Sequence, residues 1–251
     1  ATGQLLAEQA GRRLIGFSAE LGGKNAMIVA KGANLREVCD AAVRACFSNS
    51  GQLCISIERI YVEKSIAAEF TEKFGQRVRN MTLGADYEFG IEMGSLVSED
   101  QIKMVSSHVD DAKVKGATVV AGGNARPDIG PLFYEPTLLT NVTEDMECAA
   151  TETFGPLVSI YPVADVDEAI DRANDTEYGL SAGFRTEDPE RIERMSRGLR
   201  FGTVWVNDYN VYFAQAPWGG FKRSGIGREL GAVGLDEYRE IKHIYQSNGR
   251  Y

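Results

Sequence analysis

The chain has 251 residues, 43% hydrophobic and 25% charged, which excludes a disordered polymer and allows one large domain or two modest ones. Its 27 Lys and Arg against 36 Asp and Glu give a net charge of −9, so no nucleic-acid partner is expected from this acidic surface. Apolar runs such as Ala26–Ala30 are far too short to span a bilayer, so no membrane association is expected either. In chain order, Gly3–Arg13 predicts a helix closing around Gly11, and Leu14–Ala19 reads as a strand. After Leu21-Gly22-Gly23 comes the apolar run Asn25–Ala30. Asn34-x-x-Glu37 resembles a capping box opening a helix to about Ser48, with Val38, Ala41, Ala42, Ala45 and Cys46 inward. Arg59–Val62 is a short strand, and Ser65 is expected to cap a helix with Ile66, Phe70, Phe74 and Val78 inward. Ser98-x-x-Gln101 starts a helix that ends near Gly116, before the strand Ala117–Ala121. Pro156–Val163 is a strand, Asp165-x-x-Glu168 caps the next helix, Asp188-Pro189 opens another, and Phe201–Val206 is a strand. Two glycine-bearing loops interrupt the series: 122–137, read as surface, and 214–227, too aromatic for a plain solvent loop.

This alternation predicts an α/β fold, a layered domain with a mainly parallel sheet flanked by helices. The four cysteines, Cys39, Cys46, Cys54 and Cys148, are spaced seven, eight and 94 residues apart, matching no zinc pattern; no metal is expected. Four cysteines in this length do not make a disulfide scaffold and no leader-like segment opens the chain, so the expected setting is reducing and cytoplasmic. The start, Ala1-Thr2-Gly3, leads without methionine straight into an amphipathic segment, as if cut inside a fold.

Only two histidines are present, so chemistry must run largely without them. His108, beside Ser107 and Asp110 in a polar helix, and His243, beside Lys242, both read as solvent-facing. Cys54, in Ser50-Gly51-Gln52-Leu53-Cys54, stands apart from the other cysteines: glycine lets backbone approach a ligand, and a thiol on such a turn can act as a nucleophile. On residue type alone, a small buried hydrophobe is the commoner reading. Glu20, at a strand end before two glycines, is either a cleft carboxylate or a solvated charge. Glu152-Thr153-Phe154-Gly155-Pro156 places a carboxylate able to bind a ribose diol beside an aromatic wall. Asn207 ends a strand, a usual place for site residues in open α/β sheets. The block from Pro217 to Glu229 sets aromatics among glycines, either a pocket wall or a structural turn.

Glu20-Leu21-Gly22-Gly23-Lys24, then Gly51-Gln52-x-Cys54 34 residues after Glu20, then Glu152-x-Phe154-Gly155-Pro156 resemble, in order and spacing, the signature elements of the NAD(P)-dependent aldehyde dehydrogenase superfamily. Tyr134-Glu135-Pro136-Thr137-Leu138, Asn207 and the block from Pro217 to Gly231 resemble it too, so the likeness covers essentially the whole chain. The resemblance implies that Cys54 attacks an aldehyde, that its backbone N–H helps hold the oxyanion, and that Glu20 activates water against the thioester. It implies Glu152 at the ribose of a bound NAD or NADP, with Phe154 beside the ring. Glu229 resembles a carboxylate of the proton relay, and Tyr212, Phe213 and Trp218 would wall the aldehyde pocket. Residues 1–20 then read as a remnant of the cofactor domain, 21–227 as the catalytic domain and 228–251 as a return segment and oligomerisation tail, with a homo-oligomer expected.

Members of the family carry an N-terminal half that this sequence lacks, so the cofactor site is expected to be incomplete and the chain alone inactive as a dehydrogenase. From Glu20 to about Tyr178 the chain resembles the succinate-semialdehyde dehydrogenase branch, notably from Phe47 to Ser56. From Gly202 onward, Trp205-Val206-Asn207-Asp208 and Ala216-Pro217-Trp218-Gly219-Gly220 resemble betaine-aldehyde and aminoaldehyde dehydrogenases, where the tryptophan serves a cationic group. Succinate semialdehyde is the favoured small-molecule partner and a betaine or amino aldehyde the alternative. A non-catalytic assembly module and a cofactor-free cysteine hydrolase are the readings from other classes.

Overall fold

A computed structural model describes residues 2–86 and 89–249; Arg250 and Tyr251 of the expected tail lie outside the described residues. The elements are α1 (Thr2–Arg13), β1 (Ala19–Glu20), β2 (Asn25–Val29), α2 (Leu35–Phe47), β3 (Ile57–Glu63), α3 (Lys64–Arg79), α4 (Glu99–Val114), β4 (Thr118–Ala121) and β5 (Thr137–Thr140). They continue with α5 (Glu147–Ala150), β6 (Leu157–Val163), α6 (Val166–Asn174), β7 (Ser181–Arg185), α7 (Pro189–Gly198), β8 (Thr203–Val206), β9 (Gly225–Ile226) and α8 (Gly231–Asp236). Seven strands form one sheet in the order β4-β5-β6-β3-β2-β7-β8. Only β4 runs antiparallel to its neighbour, so the expected mainly parallel α/β sheet is what forms.

Central strands in such a sheet are covered on both faces, so they bury residues on both sides instead of alternating buried with exposed ones. In β2 all five residues are buried. Met27 and Val29 face α2 and α3, packing with Val38, Ala42, Cys46, Phe70 and Phe74. Ala26 and Ile28 face the other way, into a core shared with Val105, Val109, Ala169, Ala173 and Met195 of α4, α6 and α7.

Helix starts follow the local capping chemistry. Ser98 accepts the Gln101 N–H at 3.3 Å, and Asp188 accepts the N–H groups of Glu190 and Arg191 ahead of Pro189. Asp165 takes the Asp167 and Glu168 N–H groups, while Glu168 Oε2 reaches back to the Ala164 N–H.

Other local expectations are corrected. Leu14 and Ile15 are exposed, and only Ala19 and Glu20 of that region pair as a strand, antiparallel to β9. Helix α1 runs on past Gly11 to Arg13, with Leu5 and Leu6 exposed. Ser65 does not cap α3: Glu63 is the N-cap residue, without a side-chain bond, and Ser65 lies in the first turn. The 122–137 loop is not merely surface, since Phe133 and Tyr134 are buried and Thr137 starts β5. Strand β7, unrecognised in the sequence, lies between β2 and β8. His108 is 2% exposed, its Nδ1 3.0 Å from Thr153 Oγ1, so it is a core residue of α4 and not a solvated one.

Candidate active site

The candidate residues gather on the segments that lead into the N-terminal ends of β2, β3 and β6: Glu20 to Lys24, Gly51 to Ser56 and Glu152 to Pro156. Asn207 lies at the opposite edge. It follows the C-terminal end of β8, and its side chain closes on Thr186 through bonds of 2.9 and 3.0 Å. The usual preference of open α/β sheets for their carboxyl edge points the wrong way here.

Cys54 sits in a tight turn closed by the Ser56 N–H on the Leu53 carbonyl at 2.9 Å. The Asn25 side-chain amide fixes that turn, donating to the carbonyls of Cys54 at 2.7 Å and Ser56 at 2.8 Å. Gly51, at φ 71°, lets this loop press on its neighbour: a Cβ there would lie 2.1 Å from the Gly155 carbonyl oxygen. The thiol is half-buried. Burial raises its pKa above 9.0, and the charges of Glu20 and Glu152 raise it further, while the backbone N–H groups of Cys54 and Ile55 oppose them. Cys39, Cys46 and Cys148 are buried, as expected of small hydrophobes.

Glu20 ends β1, which β9 anchors with the Leu21 N–H on the Ser224 carbonyl at 2.9 Å. Burial raises the Glu20 pKa, hydrogen bonding from the Trp218 indole and the Gly220 N–H opposes this, and the Glu229 charge adds to it. Its Oε2 is buried with no hydrogen-bond partner among the described residues. Trp218 is buried, its ring 4.8 Å from Tyr212 and 6.4 Å from Trp205. Burial and the nearby Cys54 and Glu20 push the Tyr212 hydroxyl to about 12. Glu229 pairs its backbone with Trp218 in both directions, at 2.6 and 2.7 Å, and leaves its side chain exposed. Phe213, next to Tyr212 in the chain, is 62% exposed, so its ring faces solvent more than a pocket.

Glu152 accepts the Gly23 N–H at 2.8 Å through Oε1. Its Oε2 lies where a Cβ on Gly22 would come, 2.2 Å away, so the glycine pair after Glu20 makes room for this carboxylate. Burial raises its pKa to about 7, against the Gly23 N–H. A cleft of about 570 Å³ adjoins it, lined in part by Gly3, Phe17, Leu21 and Tyr178. One oxygen held by backbone, the other beside a Cβ-free residue and an open cleft fit a group that offers a diol.

Two further residues matter here: Lys24, which the motif after Glu20 includes without a role, and Glu58, which no motif marks. Lys24 and Glu58, 1% and 3% exposed, form a buried ion pair. Glu58 also accepts the N–H groups of Thr153 and Phe154 at 3.0 Å, and Lys24 Nζ donates to the Thr151 carbonyl at 2.8 Å. Glu58, Arg59 and Glu63 stand among apolar residues in β3, and nothing local marks the Glu58 carboxylate as turned inward. Among the described residues, no group of three or more His, Cys, Asp or Glu could hold a metal, and no helix is long and apolar enough to cross a membrane.

Known proteins resemble this chain along nearly its whole length. The Aldehyde dehydrogenase family profile matches residues 1–244. A Mycobacterium tuberculosis protein provisionally named succinate-semialdehyde dehydrogenase (NADP+) 2 is 65% identical over 248 residues, covering 97% of this chain and 48% of the relative. The betaine aldehyde dehydrogenase of Bacillus subtilis is 40% identical over 250 residues, covering 98% of this chain and 51% of the relative. A crystal structure of betaine aldehyde dehydrogenase from Staphylococcus aureus in complex with NAD+ superposes with a TM-score of 0.93 at 38% identity, over 100% of this chain and 51% of that one. The chain thus spans about half the length of the curated relatives it matches. On the profile match, the identities and the shared fold, this chain belongs to the aldehyde dehydrogenase family.

Proposed function

We propose that the chain carries the catalytic residues of an enzyme oxidising an aldehyde to a carboxylic acid with NAD+ or NADP+. The observation that carries the reading is the convergence on one half-buried thiol, Cys54, of two carboxylates from separate segments, Glu20 and Glu152, beside the Tyr212 and Trp218 rings. Cys54 releases its proton to solvent water, Sγ bonds to the aldehyde carbon and the carbonyl π pair moves to oxygen, giving a thiohemiacetal whose oxyanion is held in part by the Cys54 N–H. When bound, the nicotinamide dinucleotide supplies the two-electron acceptor that converts this adduct to a thioester. Glu20 then takes a proton from water, the oxygen attacks the thioester carbon, and the Cys54 thiolate leaves as the acid forms. A partly buried carboxylate with a raised pKa suits that general-base step.

Glu152 would hold the nicotinamide ribose and Phe154 would stand beside the ring, while Glu229 would pass protons from Glu20 to solvent. The favoured substrate is succinate semialdehyde, supported by the 65% identity to the mycobacterial relative; a betaine or amino aldehyde is the alternative, supported by the Trp205, Tyr212 and Trp218 cluster. The chain spans about half the length of the relatives it matches, and on this reading it acylates at Cys54 without turning over as a dehydrogenase on its own. A homo-oligomer is the proposed assembly, supported by the exposed Tyr238, Ile241, Ile244 and Tyr245.

The test is a burst of p-nitrophenol from p-nitrophenyl acetate on the purified chain, lost in Cys54→Ala. No burst from the unmodified chain overturns the nucleophile assignment, and steady NAD(P)H formation by the chain overturns its inactivity as a dehydrogenase. Comparing kcat/KM for succinate semialdehyde and betaine aldehyde in the protein at full length decides between the substrates.

A further inference from the structure

The Lys24–Glu58 ion pair is buried at the junction of the three segments that bear Glu20, Cys54 and Glu152. Lys24 lies four residues after Glu20 and Glu58 four residues after Cys54. A buried ion pair is a poor stabiliser, because desolvation offsets the attraction, so its presence calls for another reason. Here the carboxylate is shared by backbone: Glu58 takes the N–H of Thr153 with both oxygens and that of Phe154 with Oε1, all at 3.0 Å. Gln101 of α4 completes the grip from the other side, donating to the carbonyls of Thr153 at 2.9 Å and Phe154 at 2.7 Å. Phe154 sits at φ 51°, in the left-handed region that residues with a side chain adopt at a cost. Such strain persists only where the surroundings over-determine it, and it concentrates at functional sites.

We propose that Lys24 and Glu58 act as one positioning unit: they hold the Thr151–Phe154 turn so that the Glu152 carboxylate and the Phe154 ring meet the nicotinamide riboside beside Cys54. The loop-holding half rests on the geometry alone; the riboside half rests on the role proposed above for Glu152. Both residues act through backbone and contact no substrate.

The experiment uses the full 251-residue chain with Glu58→Gln, Lys24→Met and the double variant. Amide hydrogen exchange is followed at Thr153 and Phe154, with the β3 amides of Ile60 and Val62 as reference for an intact core, and nicotinamide mononucleotide is titrated by NMR. Each single variant is expected to speed exchange at Thr153 and Phe154 at least tenfold while Ile60 and Val62 stay within threefold. Each is expected to raise the Kd for nicotinamide mononucleotide at least fivefold. The double variant should lose no more than the worse single one, as residues acting as a unit do. Exchange within twofold of the unmodified chain in both single variants overturns the proposal, as does a double variant whose losses multiply. If Glu58→Gln strips protection from Ile60 and Val62, the fold has gone and Lys24→Met decides. An unmodified chain that fails to bind the mononucleotide overturns the ribose role of Glu152 and the riboside half of the proposal, and the exchange rates then decide the loop-holding half on their own.

Discussion

Gly22 and Glu152 lie 130 residues apart in the chain, yet a Cβ on Gly22 would stand 2.2 Å from the Glu152 carboxylate. Gly51 is just as close to the Gly155 carbonyl, at 2.1 Å, but there the obstacle is backbone and φ is 71°. The two glycines therefore respond differently to the same change. Gly22→Ala can turn a flexible carboxylate aside and should cost below about 1 kcal/mol, with its effect confined to what Glu152 binds. Gly51→Ala combines left-handed strain with a backbone clash and should cost about 3 kcal/mol or more. Thermal unfolding checks this: a loss of several degrees for Gly51→Ala and little for Gly22→Ala is expected. Equal losses would contradict the distinction.

Asn25 gives a second test, through the turn that carries Cys54. Its amide satisfies the Cys54 and Ser56 carbonyls and its oxygen takes the Ser181 N–H at 3.0 Å, tying the nucleophile turn to β7. Asn25→Ala strands buried groups on both sides and should cost about 2–4 kcal/mol. It should also make Cys54 alkylation less selective over Cys39, Cys46 and Cys148, measured by mass spectrometry. Asn25→Asp keeps the acceptor and should retain the Ser181 contact only.

Glu152 makes a pH prediction. Its folded pKa is about 7 against an ordinary glutamate value of 4.5, so between these values the folded chain binds a proton that the unfolded chain has released. That contribution is fully present below about pH 4.5 and is lost as pH rises through about 7. Glu152→Gln carries no such dependence. Its Tm relative to the unmodified chain should therefore climb from pH 5 to pH 7.5 and level off above. A difference that stays flat across this window would contradict the burial of this carboxylate.

What the sequence made legible was local or short in period. Asp165, Asp188 and Ser98 mark helix starts because a cap is satisfied within three residues. Local context left Cys54 and Glu20 open and the ordered motifs singled them out with Glu152; the glycines of those motifs, Gly22 and Gly51, do adjoin a close carboxylate and a close backbone approach. What failed depended on distant partners. Ser181–Arg185 hardly reads as a strand, since Gly183 is needed there for room: a Cβ would meet the Tyr209 ring at 2.4 Å. His108 has polar chain neighbours but faces Thr153, 45 residues away, and Glu58 meets Lys24 across 34 residues. Asn207 followed a rule about strand ends that this sheet does not obey, because its site gathers at the strands' N-terminal ends.

The last prediction separates two tasks that a carboxylate beside a thiol could perform. If Glu20 took the proton from Cys54, removing its charge would slow thiol alkylation. The electrostatics point the other way: Glu20 is the largest charge effect raising the Cys54 pKa, so it disfavours the thiolate in the resting site. Glu20→Gln keeps the shape and removes the charge. Alkylation of Cys54 by iodoacetamide at pH 8 should become several-fold faster, and its pH profile should shift to lower pH. Glu152→Gln should shift it the same way by less, since that charge ranks second among the charges that raise the thiol pKa. Hydrolysis of an acyl group already on Cys54 should instead slow by about 10²–10⁴-fold in Glu20→Gln, because the water loses its base. Faster alkylation with slower deacylation in one variant assigns Glu20 to the water. Slower alkylation would assign it to the thiol and overturn the order of proton transfers proposed above.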